Sequence, residues 1–104
     1  QKENERRLEN IAHFDTLTGL PNRVLFADRL RQAMANAKRR ASRLGIAFID
    51  LDGFKAVNDE HGHDVGDELL RKVADNMRSA LRESDTLARL GGDEFAAVLS
   101  DLPS

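Results

Sequence analysis

The chain has no cysteine, which excludes disulfides and thiolate zinc centres. It also lacks an excess of positive charge: 16 lysines and arginines stand against 18 aspartates and glutamates, for a formal net charge of −2. Such a balance argues against broad electrostatic binding to nucleic acid or to an anionic membrane. No apolar run approaches the ~20 residues of a membrane span, and the charged start is unlike a secretory signal. A cytoplasmic setting is the expectation, with any membrane anchor lying elsewhere in a longer parent. What is present is 104 residues, 40% hydrophobic and 33% charged, enough for one small domain with a modest core.

Residues 1–13 are densely charged, with Leu8 and Ile11 on one helical face. They read as a signalling helix arriving from a neighbouring domain or coiled coil. Gly19, Pro21 and Asn22 in "DTLTGLPN" mark a loop. A helix is expected from Pro21 or Asn22 to about Ala41. Leu25, Phe26, Leu30, Ala33, Met34 and Ala37 would form its apolar stripe, and Lys38, Arg39 and Arg40 suit its C-terminal dipole.

Gly45 then breaks the helix, and the apolar run "LGIAFIDLD" reads as a strand buried on both faces. A short helix is expected between Gly53 and Gly62. A longer one follows from about Asp64 to Arg82, with Val65, Leu69, Val73, Met77 and Leu81 recurring every four residues. Leu70, Ala74 and Ala80 widen that stripe, and Asp64 with Asp67 resembles an N-cap pair. "TLARL" and "EFAAVLS" read as two strands around Gly91 and Gly92, a pair suited to a type I′ hairpin turn. The order predicts an α/β domain whose central sheet carries helices on one or both faces. Because the chain stops just after the hairpin, the expected sheet is incomplete.

Four groups of residues are candidates for chemistry. Asp50 and Asp52 alternate along a strand end and would project to one side, where open α/β sheets gather ligands. A hard divalent ion, Mg²⁺ first, would relieve their repulsion, with the Leu51 carbonyl as a further donor; two solvated acids are the plainer reading. Asp93 and Glu94 follow the glycine pair and would complete the cluster if the hairpin lies beside Asp50. Paired acidic sites of this kind suit metal-assisted phosphoryl transfer, although by local pattern alone a surface turn with acids is the commoner outcome.

Gly53 and Phe54 open a helix whose free amides suit phosphate, with Lys55 adding a point charge. Asn58, His63 and Asp67 offer donors and acceptors for a nucleobase, or simply serve the helix ends on which they lie. His61 and His63 flank Gly62 without further ligands, a weak metal signal. Arg82 and Asp85 in "RESD" pair a guanidinium fork with an acid, suited to phosphate and guanine or to a local ion pair.

Taken together, "DTLTGLPNR", "FIDLDGFKAVNDEHGHDVGDELL" and "RLGGDEF" resemble the GGDEF domain, the diguanylate cyclase family. The resemblance covers nearly all of residues 14–104, in family order and spacing. It implies a palm-like nucleotidyl cyclase fold and the joining of two GTP molecules into cyclic di-GMP with release of pyrophosphate. It implies Mg²⁺, or Mn²⁺ in its place, on Asp50, the Leu51 carbonyl and Asp93. Asp93 or Glu94 would help deprotonate the ribose 3′-hydroxyl, and Lys55 would offset charge on the phosphates. Asn58 and Asp67 would read the guanine edge with His63 nearby, Phe54 and Leu17 would border its pocket, and amides around Gly53 would cradle phosphates.

Arg82 and Asp85 match the family's product-inhibition motif, so cyclic di-GMP is expected there. Each protomer of the family holds one GTP, which implies a homodimer for catalysis, with sensor or phosphodiesterase domains elsewhere in the parent. Basic phosphate contacts that the family carries further along its chain are expected beyond Ser104. A GTP-binding or cyclic di-GMP-binding regulatory module without turnover, controlling an attached phosphodiesterase, is the alternative.

Overall fold

The structure is a computed structural model that describes residues 12–102. Of the helix expected over residues 1–13, only Ala12 and His13 are described, and both are helical; Leu8 and Ile11 lie outside the described residues. The elements are α1 (Arg23–Arg40), β1 (Arg43–Asp50), α2 (Phe54–His61), α3 (His63–Ala80), β2 (Thr86–Gly91) and β3 (Glu94–Leu102). The strands form one antiparallel sheet in the order β1-β3-β2. The hairpin partner β3 therefore lies between β1 and β2, which run parallel to each other on either side of it.

Helices cover both faces of this sheet. On one face, Leu70 and Ala74 of α3 pack with Leu20, Leu87, Phe95 and Ala97. On the other, Phe26, Leu30 and Ala33 of α1 pack with Ala88, Ala96 and Val98. The alternation along β3 divides Phe95 and Ala97 from Ala96 and Val98, as strand geometry requires. All four are buried, which makes β3 the centre of the core.

The α1 boundaries follow the expected signals. Asn22 caps the first turn by accepting from the Leu25 N–H at 3.1 Å, and Lys38, Arg39 and Arg40 occupy the last turn. The helix ends at Ala41, in the left-handed region at φ 53° with its N–H donating to the Ala37 carbonyl, and not at Gly45. Gly45 lies inside β1, where an added Cβ would stand 2.8 Å from Leu102 Cδ1. It therefore serves cross-strand packing. Met34 is exposed and falls outside the stripe.

Two further expectations are corrected. β1 is not buried on both faces: Ile46 and Phe48 are 46% and 73% exposed, because among the described residues β1 is an edge strand and α1 covers only its start at Leu44. The apolar face of α3 centres on Gly66, Leu70 and Ala74, while Val65 and Ala80 are exposed. A strict four-residue repeat advances about 40° per step around a 3.6-residue helix, so that series starts off the buried face at Val65 and reaches it at Val73, Met77 and Leu81, which pack against the core. Gly62 caps α3 without a side-chain hydrogen bond, so Asp64 and Asp67 are not its N-cap pair.

Candidate functional site

The sheet register sets the site. Asp50 at the end of β1 pairs with Glu94 at the start of β3, and the Leu51 N–H donates to the Asp93 carbonyl at 3.3 Å. The "FIDLD" strand end and the acidic hairpin turn, 43 residues apart in the Asp50–Asp93 numbering, are thus adjacent backbones. Asp50 and Glu94 are exposed and Asp93 is half-buried. Asp52 lies past the end of β1, in the exposed turn before α2, so it does not continue the strand alternation with Asp50. An open cavity of about 280 Å³ lies here, lined by Phe48, Ile49, Asp50, Leu90, Glu94 and Phe95.

The hairpin turn is shifted by one residue from one centred on both glycines. Gly91 remains in β2 and pairs with Glu94, leaving Gly92 and Asp93 as the central residues. Gly92 has φ 49°, whereas Asp93 is not among the positive-φ residues; a type I′ turn, which needs both, is excluded. Gly91 at φ 154° sits beside the register shift of β2, a conformation suited to glycine. The consequence is that Asp93 stands at the tip, next to Leu51.

Arg89, the first residue of "RLGGDEF", holds this tip. Its Nε and Nη2 donate to the Gly92 carbonyl at 3.0 and 2.8 Å. Its Nη1 meets Asp15 Oδ1 at 2.9 Å, with both side chains mostly buried, at 15% and 17% exposure. The Arg89 N–H also donates to the Pro21 carbonyl at 3.0 Å. Asp15 in turn accepts from the Thr18 N–H and Oγ1 at 2.8 and 2.7 Å. One guanidinium fork therefore joins the "DTLTGLPN" loop to the turn that carries Asp93, a role sequence reasoning missed. Its only local trace was an arginine beside the glycine pair; the partner lies 74 residues away.

The nucleobase candidates group at the α2–α3 junction. Asn58 Oδ1 is buried without a hydrogen-bond partner and lies where a Cβ on Gly66 would reach to 1.8 Å. Phe54 Cε1 lies 3.4 Å from that same position. Glycine at 66 is what allows the two helices to approach here. Asp67, half-buried, is the next residue on α3, and His63 is exposed at its start. Phe54 and Leu17 both border the same core cluster. Gly53 takes φ 77° as the N-cap of α2, and Lys55 is exposed in the first turn. Among the described residues, the side chains of Asp50, Lys55, His63, Asp67, Asp93 and Glu94 make no hydrogen bond or ion pair to another residue.

Arg82 and Asp85 sit at the far end of the hairpin, about 20 Å from its tip at ~3.3 Å per strand residue. The Asp85 carboxylate is 4% exposed and accepts from the backbone N–H groups of Arg82 and Ser100 at 3.0 and 3.1 Å. Burial pushes its pKa up, but those N–H donors and the Arg82 guanidinium outweigh burial and hold it below the usual carboxylate range. Arg82 Nη2 also donates to the Ser100 carbonyl. Asp85 is thus engaged in closing the chain onto β3, while Arg82 remains half exposed.

A family profile described as the diguanylate cyclase GGDEF domain matches residues 12–104. Among curated relatives, the bifunctional diguanylate cyclase/cyclic di-GMP phosphodiesterase MucR of Pseudomonas aeruginosa is 53% identical over 94 residues, covering 90% of this chain and 14% of MucR. A structure of the GGDEF domain of TpbB from the same species superposes with TM-score 0.85 at 50% identity, over 88% of this chain and 54% of that one. The coiled coil and GGDEF domain of DgcB from Caulobacter crescentus, solved with c-di-GMP, gives TM-score 0.88 at 33% identity, over 99% of this chain and 54% of that one. The chain therefore spans little more than half of these solved relatives and a small part of MucR. By this match and by the pairing of its acidic strand end with its glycine turn, the chain belongs to the GGDEF family of diguanylate cyclase domains.

Proposed function

We propose that the parent protein condenses two GTP molecules into cyclic di-GMP, with this chain carrying one half of the reacting pair. The observation that carries the reading is the backbone contact of Leu51 with Asp93, which brings two acidic segments together. The donor chemistry fits Mg²⁺. Among the described residues no three acidic or histidine side chains converge on one point, and Mg²⁺ characteristically takes one or two carboxylates and fills its remaining positions with water and substrate phosphates. Asp50, the Leu51 carbonyl and Asp93 would hold the ion, which when bound would offset negative charge on the phosphates; Mn²⁺ suits the same oxygens.

The chain's own residues supply the rest. The free amides at Gly53 and Phe54 bind phosphate, and the unpaired Lys55 ammonium lies one residue further on. Asn58 offers an acceptor once its buried Oδ1 turns away from Gly66, and guanine presents N–H donors on its base-pairing edge; Asp67 can accept the second. Phe54 and Leu17 flank the base, with His63 at the pocket rim. Asp93 or Glu94 accepts the proton as the ribose 3′-oxygen bonds to the α-phosphorus of the partner's GTP and the bond to pyrophosphate breaks. Two protomers must face each other for this, so turnover depends on dimer geometry.

The test is to incubate the full-length protein with GTP and Mg²⁺ and detect cyclic di-GMP and pyrophosphate by mass spectrometry. Turnover is expected to disappear in Asp50→Asn and in Asp93→Asn, while both variants remain folded. Normal Mg²⁺-dependent turnover in either would remove the metal assignment. A second reading, a GGDEF module that binds nucleotide and controls an attached phosphodiesterase, is favoured by the bifunctional naming of MucR. GTP binding without product, together with GTP-dependent hydrolysis of cyclic di-GMP, would select it.

A further inference from the structure

The loop between the helical residues Ala12 and His13 and the start of α1 is closed on itself. Its ends pair as an antiparallel bridge between Phe14 and Pro21. The Asn22 N–H donates to the His13 carbonyl at 2.8 Å, and the Asp15 N–H to the Leu20 carbonyl at 2.7 Å. The Asn22 side chain reaches further back, donating from Nδ2 to the Ala12 carbonyl at 2.9 Å. Inside the loop the Asp15 carbonyl accepts from the Gly19 N–H at 2.9 Å, and its carboxylate holds Thr18. Leu20, 2% exposed, anchors the turn in the core. Residues 12–22 are therefore braced as one piece, and Asn22 is also the N-cap of α1.

Arg89 grips this piece with one edge of its guanidinium and the hairpin tip with the other. Nη1 meets Asp15, while Nε and Nη2 share the Gly92 carbonyl. That carbonyl belongs to the planar peptide unit that leads into Asp93. On the far side of Asp93, its own carbonyl accepts from the Leu51 N–H. The tip depends on such holding: Gly91 and Gly92 are exposed at φ 154° and 49°, and glycine leaves a backbone many alternatives. A guanidinium is a rigid plane, so a movement of Asp15 that turns one edge of the fork turns the other. The Asp15–Arg89 pair is mostly buried, which makes it stronger than an ion pair in water.

We infer that residues 12–22 and Arg89 form a relay within each protomer, which carries a shift of the chain at Ala12 and His13 to the Gly92–Asp93 peptide. The relay has two arrangements. In one the fork is joined to Asp15 and the tip is held against Leu51; in the other the fork is released and the tip moves on its glycines. A displacement of Ala12 and His13 favours one over the other. Asp15 and Asn22 are then positioning residues for Asp93, acting in addition to the facing of two protomers. The effect on turnover rests on the reading of Asp93 as a metal and base residue; the effect on the tip does not.

Hydrogen exchange at the Leu51 amide, read by mass spectrometry in the full-length protein, reports the tip directly. Asp15→Asn removes the charge that Arg89 meets. Asn22→Asp keeps an acceptor to cap α1 but loses the donor to Ala12. Lys72→Ala, on the exposed side of α3, is the control. Leu51 exchange is expected to rise about tenfold in Asp15→Asn and about threefold in Asn22→Asp, with the core amides of Ala96 and Val98 unchanged and Lys72→Ala like wild type. In an Arg89→Lys background Asn22→Asp should add nothing, because the relay is already cut. In both single variants kcat should fall while KM for GTP changes less, since Asn58 and Asp67 lie on α2 and α3 outside the relay. Asp15→Glu, with a smaller rise expected, replaces Asp15→Asn if circular dichroism shows that variant unfolded. Unchanged Leu51 exchange in either the Asp15 or the Asn22 variant would overturn the relay and leave the cyclase reading intact. Equal acceleration at Ala96 and Val98 would overturn it as a general loosening of the fold. A wild type that makes no cyclic di-GMP while Leu51 responds as expected would overturn the cyclase reading and leave the relay standing.

Discussion

At Arg89 one guanidinium serves two distant segments, the Asp15 carboxylate and the Gly92 carbonyl. Truncation would leave the mostly buried Asp15 carboxylate without its cationic partner and release the exposed Gly92 carbonyl. Arg89→Ala is expected to lower stability by about 1–3 kcal/mol in urea unfolding and to lower turnover as well, because the tip carrying Asp93 loses its tether. Arg89→Lys should recover only part of either loss, since an ammonium lacks the fork that reaches both partners. Equal urea midpoints for wild type and Arg89→Ala would remove the tether as a structural cause.

Asp85 makes a separate prediction, in pH. Its folded pKa lies below the ordinary value, so its contribution to stability is fully present above about pH 3.9, the usual aspartate value, and is lost as pH falls through the depressed folded value. Asp85→Asn should therefore be less stable than wild type at neutral pH, with the gap closing as both are acidified. A gap that stays constant down to the acid limit would show that the charge contributes nothing. At this scale the sequence was informative about residue types and silent about partners. Asp50, Asp93 and Arg82 were legible as candidates, but the Arg89–Asp15 pair was not, because contacts across 74 positions leave no local pattern.

Among the elements, α2 and α3 depend on a single close approach. Gly66→Ala would place a methyl group 1.8 Å from Asn58 Oδ1 and 2.9 Å from its Cγ, so the asparagine side chain must shift. A destabilisation of about 1–3 kcal/mol is expected from this overpacking, together with a rise in the Kd for GTP as Asn58 is displaced. Unaltered GTP affinity in a folded Gly66→Ala protein would argue against Asn58 as a base contact. The helices themselves were readable from caps and periodicity to within about two residues, as for Asn22, Gly53 and Gly62. The buried face of α3 was legible at Val73, Met77 and Leu81 but not at Val65, because a four-residue repeat and a 3.6-residue helix part company over several turns.

For the whole molecule, the exposed edge of β1 is the main departure from expectation. Ile46 and Phe48 present apolar surface on an edge strand, a combination that favours pairing with another chain. The isolated 104-residue chain is expected to associate as its concentration rises, and Phe48→Lys to reduce that association in sedimentation velocity. Equal behaviour of the two proteins would show that the edge is protected in solution.

Local chemistry in the sequence by itself determined the order of helices and strands, the glycine turn and the acids that flank it, because caps, periodicity and positive-φ residues act over a few positions. Only the tertiary structure decided which strand is the edge, that Leu51 meets Asp93, and that Arg89 meets Asp15. Those facts follow from β3 folding back between β1 and β2 while helices cover both faces. That packing places residues together by the area they bury, whatever their separation along the chain.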